Sequence, residues 1–156
     1  MYVFDSSSLI VIFNHYYPGR FPSFWEKFEA LIRQGKFISV REVFNEINIY
    51  SGTNRLKQWA KENRPLFEEP SIEELAFVEE IFSNQHFQYL IEQKKILEGR
   101  PVADPFLIAK AKVLKSTLVT QETFKENAAK MPNVCAYYKI KYTNLEHFME
   151  REHWEF

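Results

Sequence analysis

Cysteine occurs once in the 156 residues, at Cys135, so no disulfide can form within the chain and a disulfide-stapled secreted module is excluded. A reducing compartment is the expected setting. Glycine is nearly as scarce, with four residues, and neither GxGxxG nor GxxxxGK[ST] occurs, which leaves nucleotide-cradling loops without material. Long apolar runs are missing too: the longest, Leu9 to Phe13, is far short of the ~20 residues a membrane helix needs. Met1-Tyr2-Val3-Phe4 meets Asp5 before any basic region or small-residue cleavage site, so no signal peptide is expected and the protein should be cytoplasmic. Charge of one sign is not in excess either. With 20 Lys+Arg against 21 Asp+Glu the net charge is -1, which argues against a general nucleic-acid coat protein but leaves room for an enzyme with a local cationic rim.

What the chain does have is apolar and aromatic mass, 46% and 17%, enough for one domain over residues 1–156 with a sizeable core. No linker, repeat or low-complexity tract interrupts it. Tyr2-Val3-Phe4 reads as a strand, Ser6-Ser7-Ser8 as a turn and Leu9 to Phe13 as a helix. Pro22 opens a helix with Phe24, Phe28, Leu31 and Ile32 inward, closed by Gly35. Phe37-Ile38-Ser39 is a second strand, followed at once by a helix with Val43, Phe44 and Ile47 at core spacing, which is βαβ grammar. The stretch from Gly52 to Leu97 is predicted helical almost throughout. In it Ser71-x-x-Glu74 is a capping box for Leu75, Val78 and Ile81, and residues 66–69, between two prolines, form a short edge strand. Asp104-Pro105 opens another helix, Thr117 to Thr120 is a strand, and a short helix after Glu122, a weak strand at Ile140 to Thr143 and a helix from Leu145 finish the chain. Trp25, Trp59 and Trp154 recur at helical spacing and read as core, whereas Tyr16 and Tyr17, beside His15 and Arg20, could stack a base or close over the core.

In a parallel sheet built from these strands, Asp5, Glu46 and Glu122 fall at carboxyl ends, where open α/β sheets place their ligand crevice, and Asp104 heads the helix that feeds a strand. Carboxylates without His or Cys are an oxygen-only ligand set, suited to Mg²⁺ or Mn²⁺ rather than zinc, and such ions activate water against phosphodiesters. Each acid also has a structural reading. Asp5 and Asp104 suit helix N-caps, Glu122 a first-turn acid with Thr120 capping the same helix, Ser7 a turn, and Glu46 shares a solvated face with Glu42 one turn back.

Four segments together resemble the PIN-domain nucleases, close to VapC-like toxins of toxin–antitoxin pairs. They are Val3-Phe4-Asp5-Ser6-Ser7-Ser8-Leu9-Ile10, Ile38-Ser39 through Val43 to Glu46-Ile47, Ala103-Asp104-Pro105-Phe106-Leu107-Ile108-Ala109-Lys110-Ala111, and Leu118-Val119-Thr120-Gln121-Glu122. Asn14 to Pro18 with Phe21-Pro22 and Trp25 also resembles a PIN subgroup long catalogued as a domain of unknown function. The resemblance implies a PIN-like, Rossmann-like three-layer α/β sandwich around a parallel sheet of about five strands. It implies metal-binding acids at Asp5, Glu46 and Asp104, a fourth at Glu122, and supporting hydroxyls on Ser7 and Thr120. Val40, where related sequences often carry Pro, leaves Glu42 as the rival of Glu46, though Val43 and Ile47 favour Glu46; Glu122 replaces the commoner Asp or Asn.

The function so implied is a Mg²⁺- or Mn²⁺-dependent endoribonuclease, the toxin held by a cognate antitoxin, acting on tRNA, rRNA or mRNA, with a homodimer as the expected form. Arg41 and Arg100, with Lys94 and Lys95, are the candidate RNA contacts, though for each of them solvated surface is the more ordinary reading. Two other readings compete. Asp5 as a phosphoacceptor lacks the second acid such sites need, since Ser6-Ser7-Ser8 follows it. A catalytically degenerate PIN scaffold that binds RNA or protein would keep the fold without the chemistry.

Overall fold

The computed structural model describes residues 1–50, 52–89 and 102–156. The elements are β1 (Tyr2–Phe4), α1 (Ser6–His15), α2 (Pro22–Arg33), β2 (Phe37–Val40), α3 (Arg41–Ile49), α4 (Asn54–Glu62), β3 (Phe67–Glu68), α5 (Ile72–Ser83), α6 (Asp104–Val113), β4 (Thr117–Val119), α7 (Met131–Tyr137), β5 (Tyr142–Thr143) and α8 (Leu145–Arg151). The five strands form one sheet in the order β3-β2-β1-β4-β5, and every pair is parallel, with Val3 opposite both Ile38 and Leu118. The short edge strand expected between the two prolines is β3.

Short strands of continuous apolar residues suit burial on both faces, and β2 and β4 are buried at every position. The Phe4 ring lies 4.8 Å from Phe37 and meets Phe28 of α2 and Phe148 of α8 edge-on at 6.3 and 5.3 Å. That face of the sheet is therefore covered by α2 and α8. Helix α6 lies across β1, β2 and β4, packed on α5 and α7, on the other side, as a right-handed return from β3 to β4 requires. The result is an α/β three-layer sandwich, the layering expected from the sequence. Trp25, Trp59 and Trp154 are partly buried against the core, and Tyr16 stacks on Phe24 at 4.4 Å while Tyr17 stays exposed.

The expected turn at Ser6-Ser7-Ser8 is instead the first turn of α1, because Asp5 supplies the N-cap and the helix begins directly after it. The capping box at Ser71 and Glu74 is present, with Ser71 Oγ accepting from Glu74 N at 3.1 Å and Glu74 Oε2 from Ser71 N at 2.9 Å. Leu75, however, is exposed and Glu74 buried: the inward face of α5 is turned so that Glu74 meets Lys110 Nζ at 2.9 Å. Among the described residues no helix is long and apolar enough to cross a membrane.

Candidate functional site

The strand order reverses between β1 and β4, and the crevice beyond their carboxyl ends is built from Asp5 and Thr120. Asp5 N donates to Val119 O at 3.1 Å, which carries the strand pairing one residue past β1 and fixes where the side chain emerges. One carboxylate oxygen, Oδ1, accepts from Ser8 N at 2.8 Å, the capping bond of α1; the other, Oδ2, accepts from Ser7 Oγ at 2.7 Å and Thr120 Oγ1 at 2.5 Å. Capping and a place in the crevice thus coexist in one residue. Asp5 is buried, and burial pushes its carboxyl above the ordinary value against the pull of the bonds from Thr120, Ser7 and Ser8. Among the described residues no cation is paired with it.

Glu46, on the second turn of α3, is half-buried and is bonded to the first turn of α1. Its Oε2 accepts from Ser6 Oγ at 2.6 Å and its Oε1 from Ala103 N at 3.1 Å. These two bonds fasten α3 to the start of α1 and to the start of α6, where Asp104 sits buried. Asp104 is the first residue of α6 and not its cap: that position falls to Ala103, whose side chain can cap nothing. The expected capping role is thus corrected by one residue. Glu42 is buried as well, contrary to a solvated face. Arg41 Nη2 bonds its Oε1 at 3.0 Å, and its buried Oε2 has no hydrogen-bond partner among the described residues.

Glu122 follows β4 closely, and its N–H donates to Thr120 Oγ1 at 3.1 Å. The helix expected directly after it begins only at Met131, because residues 121–130 run as loop. Glu122 Oε2 accepts from Met131 N at 3.1 Å, so the carboxylate caps α7 from across that loop. Ser7 Oγ in turn accepts from Gln121 N at 3.2 Å, which locks the two loops of the crevice together. Arg41 is held by Glu42 and, at 3.6 Å, by Glu69. Arg100, Lys94 and Lys95 lie outside the described residues. Ser6 is the participant that sequence reading passed over; its only signal was its position directly after Asp5.

Hydroxyl and amide donors hold Glu46 and Asp5 through the consecutive serines 6 and 7, and Glu46 is also bonded to the amide of Ala103, the residue before Asp104. Among the described residues no three His, Cys, Asp or Glu side chains are gathered around one point. The donor chemistry nevertheless fits a hard divalent cation: the oxygens are carboxylate and hydroxyl, and the partners of the buried Asp5 among the described residues are uncharged donors. A family described as Domain of unknown function (DUF4411) has a model that matches residues 2–156. No curated protein and no solved structure matches the chain.

Proposed function

We propose that this chain, which belongs to the DUF4411 family, is a Mg²⁺- or Mn²⁺-dependent endoribonuclease in which Asp5, Glu46 and Asp104 would hold the cation. One observation carries the reading. Asp5 is buried beyond the carboxyl end of β1 at the switch point with no cation paired to it among the described residues, and Glu46, from another helix, is bonded to Ser6 and to the amide next to Asp104. When bound, the cation supplies Lewis-acid activation of water and of a phosphodiester oxygen.

The chain's own groups fix the acids. Ser7 and Thr120 hold one oxygen of Asp5 and the Ser8 amide holds the other, so this carboxylate cannot rotate away from the crevice. Ser6 and Ala103 do the same for the two oxygens of Glu46. Glu122 serves at one remove by fastening the start of α7 beneath the loop that follows β4. RNA as the substrate, a role as the toxin of a toxin–antitoxin pair and a cytoplasmic site rest on the resemblance to VapC-like chains.

The test is incubation of labelled tRNA and ribosomal RNA with Mg²⁺, Mn²⁺ or EDTA, comparing wild type with Asp5→Asn and Asp104→Asn. Discrete metal-dependent fragments absent from both variants support the nuclease. Fragments that persist in the variants, or none with either metal, sink it. A binding scaffold is the second reading, favoured by the turn of Glu122 toward Met131 and by the absence, among the described residues, of three convergent ligands. It predicts RNA binding without Mn²⁺ affinity.

A further inference from the structure

The opposite, amino edge of the sheet carries a concentration of charge that the near-neutral total conceals. Lys112, Lys115, Lys139 and Lys141 line a pocket of about 190 Å³ with Ser116 and Ile140, and among the described residues no acid lines it. All four lysines are exposed, and among the described residues none of them is in an ion pair. Lys36, at the same edge, is already engaged by Glu152 at 3.7 Å.

The ordinary account is compensation of helix dipoles, because α6 and α7 both end here. Two helix C-termini contribute roughly -0.5 charge each. Set against four lysines, they leave about three positive charges unbalanced, and Lys141, which precedes β5, follows no helix end directly.

The backbone adds an independent observation. Both helices finish in the same cap, with Ser116 N donating to Ala111 O at 2.9 Å and Ile140 N to Cys135 O at 2.8 Å. That cap places its penultimate residue in the left-handed region, where Lys115 has φ 50 and Lys139 φ 56. After α2 the equivalent place is filled by Gly35, φ 67, which adopts it without steric strain. His153 holds a third such φ after α8, away from the pocket lining. Lysine at two of these places is a disfavoured residue twice over, and both side chains line one pocket. Strain of this kind persists where a side chain is used.

We infer that this pocket is a phosphate-binding site that anchors the RNA backbone on the edge of the sheet opposite the acids. Ammonium point charges without an arginine fork or an aromatic wall suit phosphate oxygens and read no base. At the carboxylate edge Arg41 is already held by Glu42 and Glu69, so a cationic hold at the opposite edge adds attraction for a polyanion. From Ser116 to Thr120 the strand runs about 13 Å at ~3.3 Å per residue, which separates anchor from acids along one strand. The identity of the polymer rests on the ribonuclease reading; the pocket's phosphate chemistry does not.

The test uses the full-length chain carrying Asp5→Asn, in EDTA, titrated with a labelled mixed-sequence single-stranded RNA over a range of salt, with and without Lys115→Gly, Lys139→Gly and Lys141→Gln. Each phosphate neutralised contributes ~0.7 to the slope of log K against log salt, so the triple change should flatten the slope by about 2 and weaken binding about 100-fold at 0.1 M salt. Glycine at 115 and 139 should raise the melting temperature, which separates lost binding from lost folding. Tripolyphosphate that competes for the wild-type pocket and not the triple variant supports the same chemistry with a small ligand as source. An unchanged slope, or competition by polyglutamate equal to that by tripolyphosphate, overturns the proposal. Loss of RNA cleavage with this salt dependence intact would refute the nuclease and leave the anchor; cleavage with an unchanged slope would do the reverse.

Discussion

Replacing Asp5 by Asn should stabilise the cation-free protein. The substitution keeps the cap of α1, since Asn is as good an N-cap as Asp and its Oδ1 can still accept from Ser8 N. It weakens two charge-assisted bonds, those from Ser7 and Thr120, by ~1 kcal/mol each, and removes a buried charge whose effective penalty is several kcal/mol. The balance is about 1–2 kcal/mol in favour of Asn, which for a chain of this size is a rise of roughly 2–8 °C in melting temperature. The pH dependence fixes the sign. A carboxyl whose folded pKa lies above its ordinary 3.8 favours the fold while protonated and loses that contribution as pH rises through the folded pKa, so the advantage of Asn should shrink toward pH 4. Mn²⁺ at ~100 times its Kd should then stabilise wild type by ~2.7 kcal/mol, about 5–10 °C, and the variant not at all. Thermal melts in EDTA and in Mn²⁺ read both effects. A lower melting temperature for Asp5→Asn in EDTA would show that no buried charge is relieved, and an equal Mn²⁺ rise in both proteins that Asp5 does not hold the cation.

Glu46→Ala strands the buried Ala103 amide and should cost about 1–3 kcal/mol in urea denaturation, where an unchanged midpoint would remove Glu46 from the crevice. Lys110→Met leaves the Glu74 carboxylate buried without its partner at 2.9 Å and should cost about 3–5 kcal/mol, with most of it recovered in Lys110→Met/Glu74→Gln; additive losses would contradict the pair. The Cys135 thiol, pushed up to about 12 by burial and by the Glu122 charge, should resist a disulfide reagent at pH 8 until the protein unfolds. Burial and the bond to Glu152 raise Tyr2 to about 12, so its contribution is intact below the ordinary 10.0 and lost as pH climbs toward 12. Tyr2→Phe should flatten that alkaline loss, as urea midpoints across the window would show.

The sheet was legible because its strands are short apolar runs that end at polar residues. Phe4 before Asp5 and Phe67-Glu68 between prolines carry enough local signal to place an inner and an edge strand. The capping box was legible for the same reason, its partners being three residues apart. What escaped depends on partners remote in sequence. Leu75 lies outside because Glu74 is drawn in by Lys110, 36 residues on, and no periodicity of α5 encodes that attraction. Glu122 reads as the opening acid of a helix, and it does cap one, but the helix begins at Met131 after a loop. Ser6 showed nothing of its role because its partner, Glu46, comes from another helix. Of the site, the sequence offered the acids as a set through the order of the segments, and the fold supplied the hydroxyls and amides that orient two of them.

The proposed function requires that Asp5, Glu46 and Asp104 share one divalent cation. Electron paramagnetic resonance of free Mn²⁺, titrated into wild type, Asp5→Asn, Glu46→Gln and Asp104→Asn, tests it without recourse to a substrate. Saturable Mn²⁺ uptake by wild type that is lost in all three variants is the expected result. Wild type that leaves all the Mn²⁺ free, or variants that take it up as tightly, would contradict it.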